Sequence, residues 1–380
     1  MAITFIHISD THLGFSDLDI QDAANKNIRE EDVYKAFSDS VDIILREKPD
    51  FVLHSGDIFH RSSPPNRAMI VAAQQLQRIT NVGIPFYMIA GNHDYPKSVF
   101  TSPIHDLYKT SDLIHIIHKE ELEIIETEEY ILHMLPHTNS ERNFIEEVNK
   151  IKINNTNKPN ILAMHIAVSS YAMNEFGECV FPIDKINILR QFNYVGLGHW
   201  HKFQHLKKWG NVYYSGSTER TSDTQTGYDK GIIKVSIDKS ITNIEFIPLN
   251  LRRYDKIKVD KCDLKSREEI IELVKAEAYS SKIHGGLFHI QLLDLPNDRI
   301  NDIPRSVFDD IFEEALYYSV SKTIKGTKES ISIDSESFDL KEYFFSELQN
   351  SFKGKELKKV TDFSRKLWEE LEEEEENADQ

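Results

Sequence analysis

The sequence has few cysteines, no long apolar run and no basic leader. Cys179 and Cys262 are its only cysteines and lie far apart, so we expect neither a disulfide framework nor a cysteine-ligated zinc site. No run of about 18 apolar residues occurs, so no membrane-spanning helix is expected. The N-terminus lacks the basic stretch that opens a secretory signal peptide. These absences predict a protein of the reducing cytoplasm.

Positive charge is also scarce, with 45 Lys and Arg against 62 Asp and Glu and a net charge of −17. Such an excess of carboxylates argues at first sight against a nucleic-acid partner. However, eight of the acids fall within residues 368–380. Carboxylates gathered at a metal site would add further negative charge, which bound cations neutralise. The net charge therefore does not decide what the protein binds.

Strand and helix patterns alternate over the first two-thirds of the chain. Apolar runs at residues 3–8, 51–54 and 84–90 predict buried strands, and the spacing of apolar residues at 31–47 and 67–79 predicts helices between them. Shorter strands are predicted at 113–117, 122–125, 130–135, 160–165, 194–197 and 212–215. Helices between the early strands and hairpins later favour an α/β fold, a four-layer α/β/β/α sandwich over residues 1–250.

The pattern changes near residue 250. Strands at 255–259 and 286–293 and helices at 266–279 and 305–317 predict a small α+β domain over residues 251–327. Residues 328–337 are expected to form a linker. Two amphipathic helices are predicted within 338–371, and they either dock on a partner or pack back on the main domain. The acidic tail, 372–380, is expected to be disordered.

Metal-type side chains follow the ends of the predicted strands, where sites in α/β sheets are built. They occur as D-x-H after the first strand, G-D after the second, G-N-H-D after the third, a single His at the end of a later strand, and G-H-x-H after another. Residues two apart in an extended chain point to the same side, so each D-x-H or H-x-H can offer both members to one site. The candidate ligands are Asp10, His12, Asp57, Asn92, His165, His199 and His201.

This set is too large for one tetrahedral zinc, which needs about four ligands. Its mixture of oxygen and imidazole ligands suits two metals that share a carboxylate, with Mn²⁺ or Fe²⁺ preferred and Zn²⁺ as an alternative. Two metals about 3.5–4 Å apart are a recurrent device for hydrolysing phosphate esters. Any one of these histidines alone would more often be a packed or capping residue than a ligand, and it is the five elements in order that indicate a metal site.

The order of motifs resembles that of the calcineurin-like metallophosphoesterases, whose D-x-H, G-D, G-N-H-D/E, H and G-H-x-H elements are all present. The resemblance implies one metal held by Asp10, His12, Asp57 and His201. It implies a second metal held by Asp57, Asn92, His165 and His199, so that Asp57 bridges the two.

The same resemblance assigns catalytic roles. His93 would protonate the leaving oxygen or stabilise the transition state, and Asp94 would orient the His93 ring by fixing its tautomer. Phosphoprotein phosphatases carry G-D-x-V-D-R-G where residues 56–62 read G-D-I-F-H-R-S, which counts against a phosphatase.

Finer motifs resemble the SbcD-type DNA repair nucleases, called meiotic recombination eleven in archaea and eukaryotes. Residues 29–32, 49–60, 64–65 and 213–220 carry this resemblance. It implies that His60 helps to seat the DNA strand for exonuclease cleavage. The alternative is that His60 only supports the metal ligands.

The nuclease resemblance implies a double-strand-break repair enzyme with two Mn²⁺ ions, or Fe²⁺ or Zn²⁺ in their place. It would cut single strands internally and degrade duplex ends from 3′ to 5′. It implies DNA ends, hairpins and single strands as substrates, a capping role for residues 251–327 and a place in the cytoplasm beside the nucleoid. It also implies a homodimer, through helices near 67–79 and 104–109, and an SMC-like ATPase partner of the SbcC or Rad-fifty type, bound through residues 338–371.

Basic residues near the predicted site are candidates for phosphate contacts, although each could be part of a solvated loop. They are Lys202, His205, Lys207, Lys208, Arg252 and Arg253, with Trp209 beside them. Two other functions stay open. One is a nucleotide or small-molecule phosphodiesterase on the same core, and the other is a structural subunit that docks the ATPase and DNA while cutting little.

Overall fold

The computed structural model describes residues 2–95, 102–109, 111–153, 157–168, 179–239, 241–280, 283–325 and 330–333. The chain divides into two compact units, and the division falls between Tyr254 and Asp255. No helix in the described part of the chain is long and apolar enough to cross a membrane.

The N-terminal unit alternates strands and helices before it changes to hairpins. In chain order it contains β1 (Ile3–Ile8), α1 (Ile28–Glu47), β2 (Phe51–His54), α2 (Asn66–Thr80), β3 (Phe86–Ile89), β4 (Ile114–Ile117), β5 (Glu123–Glu126), β6 (Ile131–Leu135), α3 (Glu141–Lys150), β7 (Asn160–His165), α4 (Ile186–Leu189), β8 (Tyr194–Gly198), β9 (Gln204–His205), β10 (Val212–Tyr214), β11 (Gly231–Asp238) and β12 (Ile241–Pro248). The predicted strands and helices of this unit are confirmed, with small shifts at their ends. The sequence patterns missed α3, α4, β9, β11 and β12.

Two six-stranded sheets form the centre of this unit, in the orders β12-β11-β1-β2-β3-β4 and β5-β6-β7-β8-β10-β9. Apolar side chains of both sheets share one buried cluster, in which the Phe5 ring stacks on Phe51 at 4.6 Å and meets Tyr194 edge-on at 5.3 Å. Burial of aromatic surface on this scale is a main source of stability.

A helical layer covers the outer face of each sheet. Val33 and Phe37 of α1 pack with Ile6 and Val52 of the first sheet. On the second sheet, Phe144 of α3 belongs to the cluster that covers the other face. The predicted four-layer α/β/β/α sandwich is therefore confirmed.

Local sequence determines where helix α1 begins and ends. The Asn27 side chain accepts hydrogen bonds from the backbone N–H groups of Arg29 and Glu30, which satisfies donors that have no partner within the helix. The helix therefore starts at Ile28, three residues before the predicted start. It ends where Lys48 adopts a left-handed conformation ahead of Pro49.

Parallel pairing aligns the ends of the strands that precede the metal-type side chains. Ile8 of β1 lies beside His54 of β2, and His54 lies beside Met88 of β3. In the second sheet, His165 at the end of β7 pairs with Gly198 at the end of β8. The loops that follow these strands consequently leave each sheet at one edge.

The second unit is an α+β fold around one four-stranded sheet, in the order β13-β14-β15-β16. Its elements are β13 (Tyr254–Val259), which crosses the division between the units, α5 (Arg267–Ser280), β14 (Leu287–Leu295), β15 (Tyr317–Ile324) and β16 (Ser330–Ile333). Ile270 and Val274 of α5 pack with Phe288 and Ile290 of β14 in its core.

The predicted helix at 305–317 is wrong. Only a 3-10 turn at Arg305–Phe308 forms there, and β15 already begins at Tyr317 because it pairs in parallel with β14. Phe308 and Phe312 have helical spacing, but the core of the second unit buries both without a helix. Tertiary packing has overridden the local pattern.

Part of the predicted linker, 328–337, is also a strand. Residues 330–333 form β16, in which Ile331 pairs with Lys322 of β15. The predicted helices within 338–371 and the acidic tail lie outside the described residues.

Candidate metal centre

Four of the candidate ligands adopt a left-handed backbone, which is rare for residues with a side chain. The φ angles are 50° at Asp10, 50° at His12, 55° at Asp57 and 92° at His199. Such conformations persist where the surrounding structure enforces them, and they gather at functional sites. The turns after β1, β2 and β8 thus aim these side chains at one place at a cost in local stability.

One cluster of ligand atoms comes from the D-x-H and H-x-H motifs. The Nε2 atoms of His12 and His201 lie 3.0 Å apart. His201 Nε2 lies 3.9 Å from Asp10 Oδ1, and His12 Nε2 lies 3.9 Å from Asp57 Oδ2. We call Asp10, His12 and His201 the first cluster. Their ligand atoms lie within 4.8 Å of one another, which is close enough to share one cation.

The remaining ligands form a second cluster, defined by Asn92, His165 and His199. His165 Nε2 lies 2.9 Å from Asn92 Oδ1, and His199 Nδ1 lies 3.1 Å from the same oxygen. His165 Nε2 is also 3.2 Å from Asp57 Oδ2. The Asp57 carboxylate therefore faces both clusters, and the structure brings all seven candidate ligands together.

Backbone packing explains the glycines of the motifs. A Cβ atom on Gly91 would lie 2.1 Å from Asp57 Oδ1, and one on Gly198 would lie 2.0 Å from the Ser55 carbonyl oxygen. Neither distance is tolerable between non-bonded atoms. Glycine at these positions lets the strand ends come close enough for the ligands to meet.

Surrounding groups orient the ligand atoms. His165 donates from Nδ1 to the Ser55 carbonyl at 2.8 Å, which leaves its Nε2 facing Asp57. Asp10 accepts from the Ser9 hydroxyl at 2.5 Å and from the His199 backbone N–H at 3.0 Å. Such outer contacts fix ring and carboxylate orientation in metal sites.

The pKa shifts divide the ligands into two groups. Burial raises the pKa of Asp10, and the Asp57 carboxylate outweighs the effect of burial and raises that of His165 to about 9, so an ion would have to displace a proton from each.

Asp57, His12 and His201 shift the other way. Burial by itself raises the pKa of Asp57, but the neighbouring histidines His165, His12 and His93 together outweigh burial and hold that pKa well below its usual range. Burial lowers the pKa of His12 well below its usual value, and burial with the nearby Lys230 ammonium lowers that of His201 to about 3. Neutral imidazoles and ionised carboxylates are the forms that bind metals. His12 Nε2 is the ring nitrogen that faces His201 and Asp57, and the other nitrogen, Nδ1, is buried with no hydrogen-bond partner.

His93 lies exposed at the edge of the clusters. Its Nδ1 lies 3.0 Å from the His60 carbonyl oxygen, so Nδ1–H donates there and Nε2 stays free. The expectation that Asp94 orients this ring is wrong. The fully buried Asp94 carboxylate instead accepts from the backbone N–H groups of Gly91 and Ile58, each at 2.8 Å.

The His60 side chain stands beside His93, with ring centroids 5.3 Å apart and an interplanar angle of 22°. Burial, followed by the His93 charge, lowers the pKa of His60 to about 4, so this ring is neutral at physiological pH. The contact of the His60 carbonyl with His93 was not foreseen from the sequence, because a backbone acceptor leaves no signal in residue type.

A sequence profile of the calcineurin-like phosphoesterases matches residues 3–224. The chain belongs to this family. It is also similar to the DNA double-strand break repair protein Mre11 of Sulfurisphaera tokodaii, at 32% identity over 276 residues that cover 70% of this chain and 68% of that protein. The protein of the same name from Methanococcus maripaludis is 27% identical and covers 88% of both chains. Within the phosphoesterases, the chain therefore belongs to the Mre11 family.

A bacterial relative is named by its enzyme family only. The uncharacterized metallophosphoesterase YhaO of Bacillus subtilis is 26% identical over 72% of this chain and 67% of that protein. The family membership makes this phosphoesterase a metal-dependent enzyme with a site for divalent ions, to which the two clusters correspond.

The candidate phosphate contacts of this phosphoesterase differ in their surroundings. Lys207 and Lys208 are exposed. His205 already has partners within the protein, since its Nε2 lies 3.1 Å from the Gly210 carbonyl oxygen and its ring stacks on Tyr213 at 4.1 Å. Arg252 donates to both carboxylate oxygens of Asp32, at 2.7 and 3.0 Å, which makes it a structural contact.

Proposed function

We propose that this phosphoesterase is a DNA double-strand-break repair nuclease that hydrolyses DNA phosphodiesters with two Mn²⁺ ions. The position of the Asp57 carboxylate between both clusters carries the proposal of a two-metal hydrolase, because it faces His12 Nε2 at 3.9 Å and His165 Nε2 at 3.2 Å. The archaeal relatives, which are named as DNA double-strand break repair proteins, support DNA as the substrate.

The first cluster and Asp57 would hold one ion, and Asp57 and the second cluster would hold the other. Bound ions would supply activation of the attacking water and neutralisation of charge on the phosphate. Oxygen and imidazole ligands without thiolate favour Mn²⁺, with Fe²⁺ or Zn²⁺ as substitutes. Asp57 would keep the ions at a fixed separation.

His93 would handle the proton of the leaving oxygen. Its Nδ1–H donates to the His60 carbonyl, so Nε2 is the nitrogen that can carry a proton to the substrate. When the phosphorus–oxygen bond breaks, that proton would pass from Nε2 to the leaving oxygen of the sugar. The neutral His60 ring beside it would offer a flat surface that helps to seat the DNA strand.

The finer activities follow from the same resemblance to repair nucleases. The enzyme would cut single strands and hairpins internally and degrade duplex ends from 3′ to 5′. Residues 1–250 would form the nuclease domain and 251–327 a domain that caps its site. The enzyme would act as a homodimer beside the nucleoid, with an SMC-like ATPase bound through 338–371, which lie outside the described residues.

Cleavage of end-labelled single-stranded and hairpin DNA, with Mn²⁺, Mg²⁺ or EDTA, tests the proposal. We expect Mn²⁺-dependent cutting by the wild type and none by Asp57→Ala. Hydrolysis of bis(p-nitrophenyl) phosphate without any cutting of DNA would contradict the nuclease and favour a nucleotide phosphodiesterase. Full function of the complex with the Asp57→Ala protein would favour a structural subunit.

A further inference from the structure

A third set of metal-type side chains lies beside the first cluster and shares His12 with it. One ring nitrogen from each of His12, His60 and His93 lies within 4.8 Å of the other two. We call these three residues the trihistidine group. Neither His60 nor His93 belongs to the first or the second cluster. The group offers three imidazoles and no carboxylate, so its chemistry differs from that of both clusters.

The spacing of the three rings is that of imidazoles around one tetrahedral ion. Zn²⁺ lies about 2.0–2.1 Å from each imidazole nitrogen, so two rings that share it have their centres roughly 5 Å apart. The ring centre of His12 is 4.9 Å from that of His93 and 5.5 Å from that of His60. The centres of His60 and His93 are 5.3 Å apart. All three separations fit a single ion after small movements of the rings.

The rings of His60 and His93 can meet an ion without losing a hydrogen bond. His93 donates from Nδ1 to the His60 carbonyl oxygen at 3.0 Å, which leaves Nε2 as its ligand atom. His60 Nδ1 is buried and has no hydrogen-bond partner, so no bond through this atom restrains the His60 ring. The bond between the two residues also keeps them side by side, which reduces the ordering that an ion would have to impose.

Three imidazoles favour a different ion from the one that the two clusters favour. Imidazole nitrogen suits Zn²⁺, whereas carboxylate and carbonyl oxygens suit Mn²⁺, and Zn²⁺ binds a given nitrogen site more tightly than Mn²⁺ does. Three histidines that leave the fourth position to water are a known zinc arrangement. Asp10, Asp57 and Asn92 give the two clusters the oxygen atoms that the trihistidine group lacks.

We propose that the trihistidine group is a Zn²⁺ site whose occupation inhibits the enzyme. The site rests on the geometry of the three rings, and its inhibitory effect rests on the proposed function. A zinc ion bound here occupies His93 Nε2, the nitrogen that would carry the proton to the leaving oxygen. It also draws the His12 ring toward His60 and His93, and so competes with the ion of the first cluster for this ligand. Zn²⁺ therefore stops DNA cleavage even where Mn²⁺ is abundant.

Calorimetric titration of the Mn²⁺-loaded protein with Zn²⁺, in the absence of DNA, tests the site. We expect a class of one Zn²⁺ per chain, which His60→Phe weakens by about tenfold or more, since even a lost contact to a metal ligand costs about 10–100-fold in affinity. Phenylalanine keeps a flat ring and offers no nitrogen. His93→Phe should weaken the same class by a similar factor, and it replaces His60→Phe if that variant does not fold. His284→Gln, which removes an exposed histidine of the second unit, is the control and should bind Zn²⁺ as the wild type does.

Equal zinc affinities of the wild type, His60→Phe and His93→Phe would show that Zn²⁺ enters the two clusters instead. That result would overturn the inference and leave the proposed metal centre intact. Absence of Zn²⁺ binding by the wild type would overturn the inference as well. If the wild type binds no Mn²⁺, the proposed function fails, and the same zinc titrations on the metal-free protein still decide the inference.

Zinc inhibition of DNA cleavage tests the consequence. Rates on end-labelled single-stranded DNA are measured at saturating Mn²⁺ with increasing Zn²⁺. Each variant is compared with its own rate without zinc, because the proposed function places His60 at the DNA strand. We expect half-inhibition of His60→Phe to require about tenfold more Zn²⁺ than half-inhibition of the wild type or of His284→Gln. Half-inhibition at the same Zn²⁺ concentration in all three proteins, or an uninhibited wild type, would overturn the inference.

Discussion

The ring of His93 is held by the backbone of His60, whose carbonyl oxygen lies 3.0 Å from His93 Nδ1. The bond connects the loop after β3 with the loop after β2, and it leaves His93 Nε2 as the nitrogen that can meet a substrate. Because the His60 contribution comes from its backbone, a change of the His60 side chain leaves this acceptor in place.

Replacement of His93 by alanine should reduce Mn²⁺-dependent DNA cleavage by about 10²–10⁴-fold, the usual contribution of a general acid. The His93 side chain is exposed, so the midpoint of urea unfolding should not change. Rates on end-labelled DNA and unfolding curves check both points. His284→Ala, an exposed histidine of the second unit, is the control and should cleave normally. Normal cleavage by His93→Ala would show that another group supplies the proton.

Replacement of Asp94 by alanine should act on stability. The carboxylate is fully buried and accepts from the backbone of Gly91 and Ile58, so its loss leaves buried N–H groups without partners. We expect a loss of about 3 kcal/mol in the free energy of unfolding. Denaturation in urea measures it. An unchanged stability together with a loss of cleavage as large as that of His93→Ala would instead support a direct role for Asp94 in catalysis.

Replacement of Gly91 by alanine should abolish Mn²⁺ binding, because the new Cβ atom would lie 2.1 Å from Asp57 Oδ1. Isothermal titration with Mn²⁺ is the measurement. Gly83→Ala separates this clash from backbone strain, since Gly83 has a φ of +83° but no atom within 4 Å of the added Cβ. That control should lose about 1 kcal/mol of stability and keep its Mn²⁺ affinity. Unaltered binding by Gly91→Ala would contradict the close approach of the loops.

Mn²⁺ should stabilise the protein against heat through Asp57. An ion at about 100 times its dissociation constant contributes about 2.7 kcal/mol, which raises the melting temperature. Because Asp57 faces both clusters, Asp57→Asn should remove most of this rise. Thermal melting with Mn²⁺ or EDTA measures it, with the exposed Asp298→Asn as the control. An equal rise in the wild type and in Asp57→Asn would refute the bridging position.

The metal-free protein should lose stability in acid through its buried histidines. Burial lowers the pKa of His7 to about 3 and that of His54 to about 4, whereas an unfolded histidine titrates near about 6.5. Between these pH values the unfolded chain binds protons that the folded chain does not bind. The contribution of these neutral rings to the free energy of unfolding is therefore complete above about pH 6.5 and falls as the pH drops toward 4.

Urea unfolding in EDTA at pH 7.5, 6 and 5 checks this dependence. His7→Gln removes one titrating group, so the free energy of unfolding should change less steeply with pH, by up to about 1.4 kcal/mol per pH unit. The exposed His284→Gln should leave the slope unchanged. A wild-type stability that is constant from pH 7.5 to 5 would contradict the burial of neutral rings.

The sequence by itself determined the layered fold and the set of residues that meet at the sheet edge. Apolar runs such as residues 3–8 and 51–54 are local signals, and parallel strands bring their carboxyl ends to one edge wherever they pair. The motifs that follow these runs were therefore readable in order, from Asp10 to His201.

Only the tertiary structure decided how those residues are held. The acceptor for His93 is a backbone carbonyl, the partners of Asp94 are backbone N–H groups, and Lys230 reaches Gln225 and His201 through the fold. Residues 305–317 likewise do not form the helix that their spacing predicts, because Tyr317 pairs in parallel with β14 instead. Contacts of this kind depend on distances between segments that are remote in the chain, and these leave no periodicity in residue type from which they could be predicted.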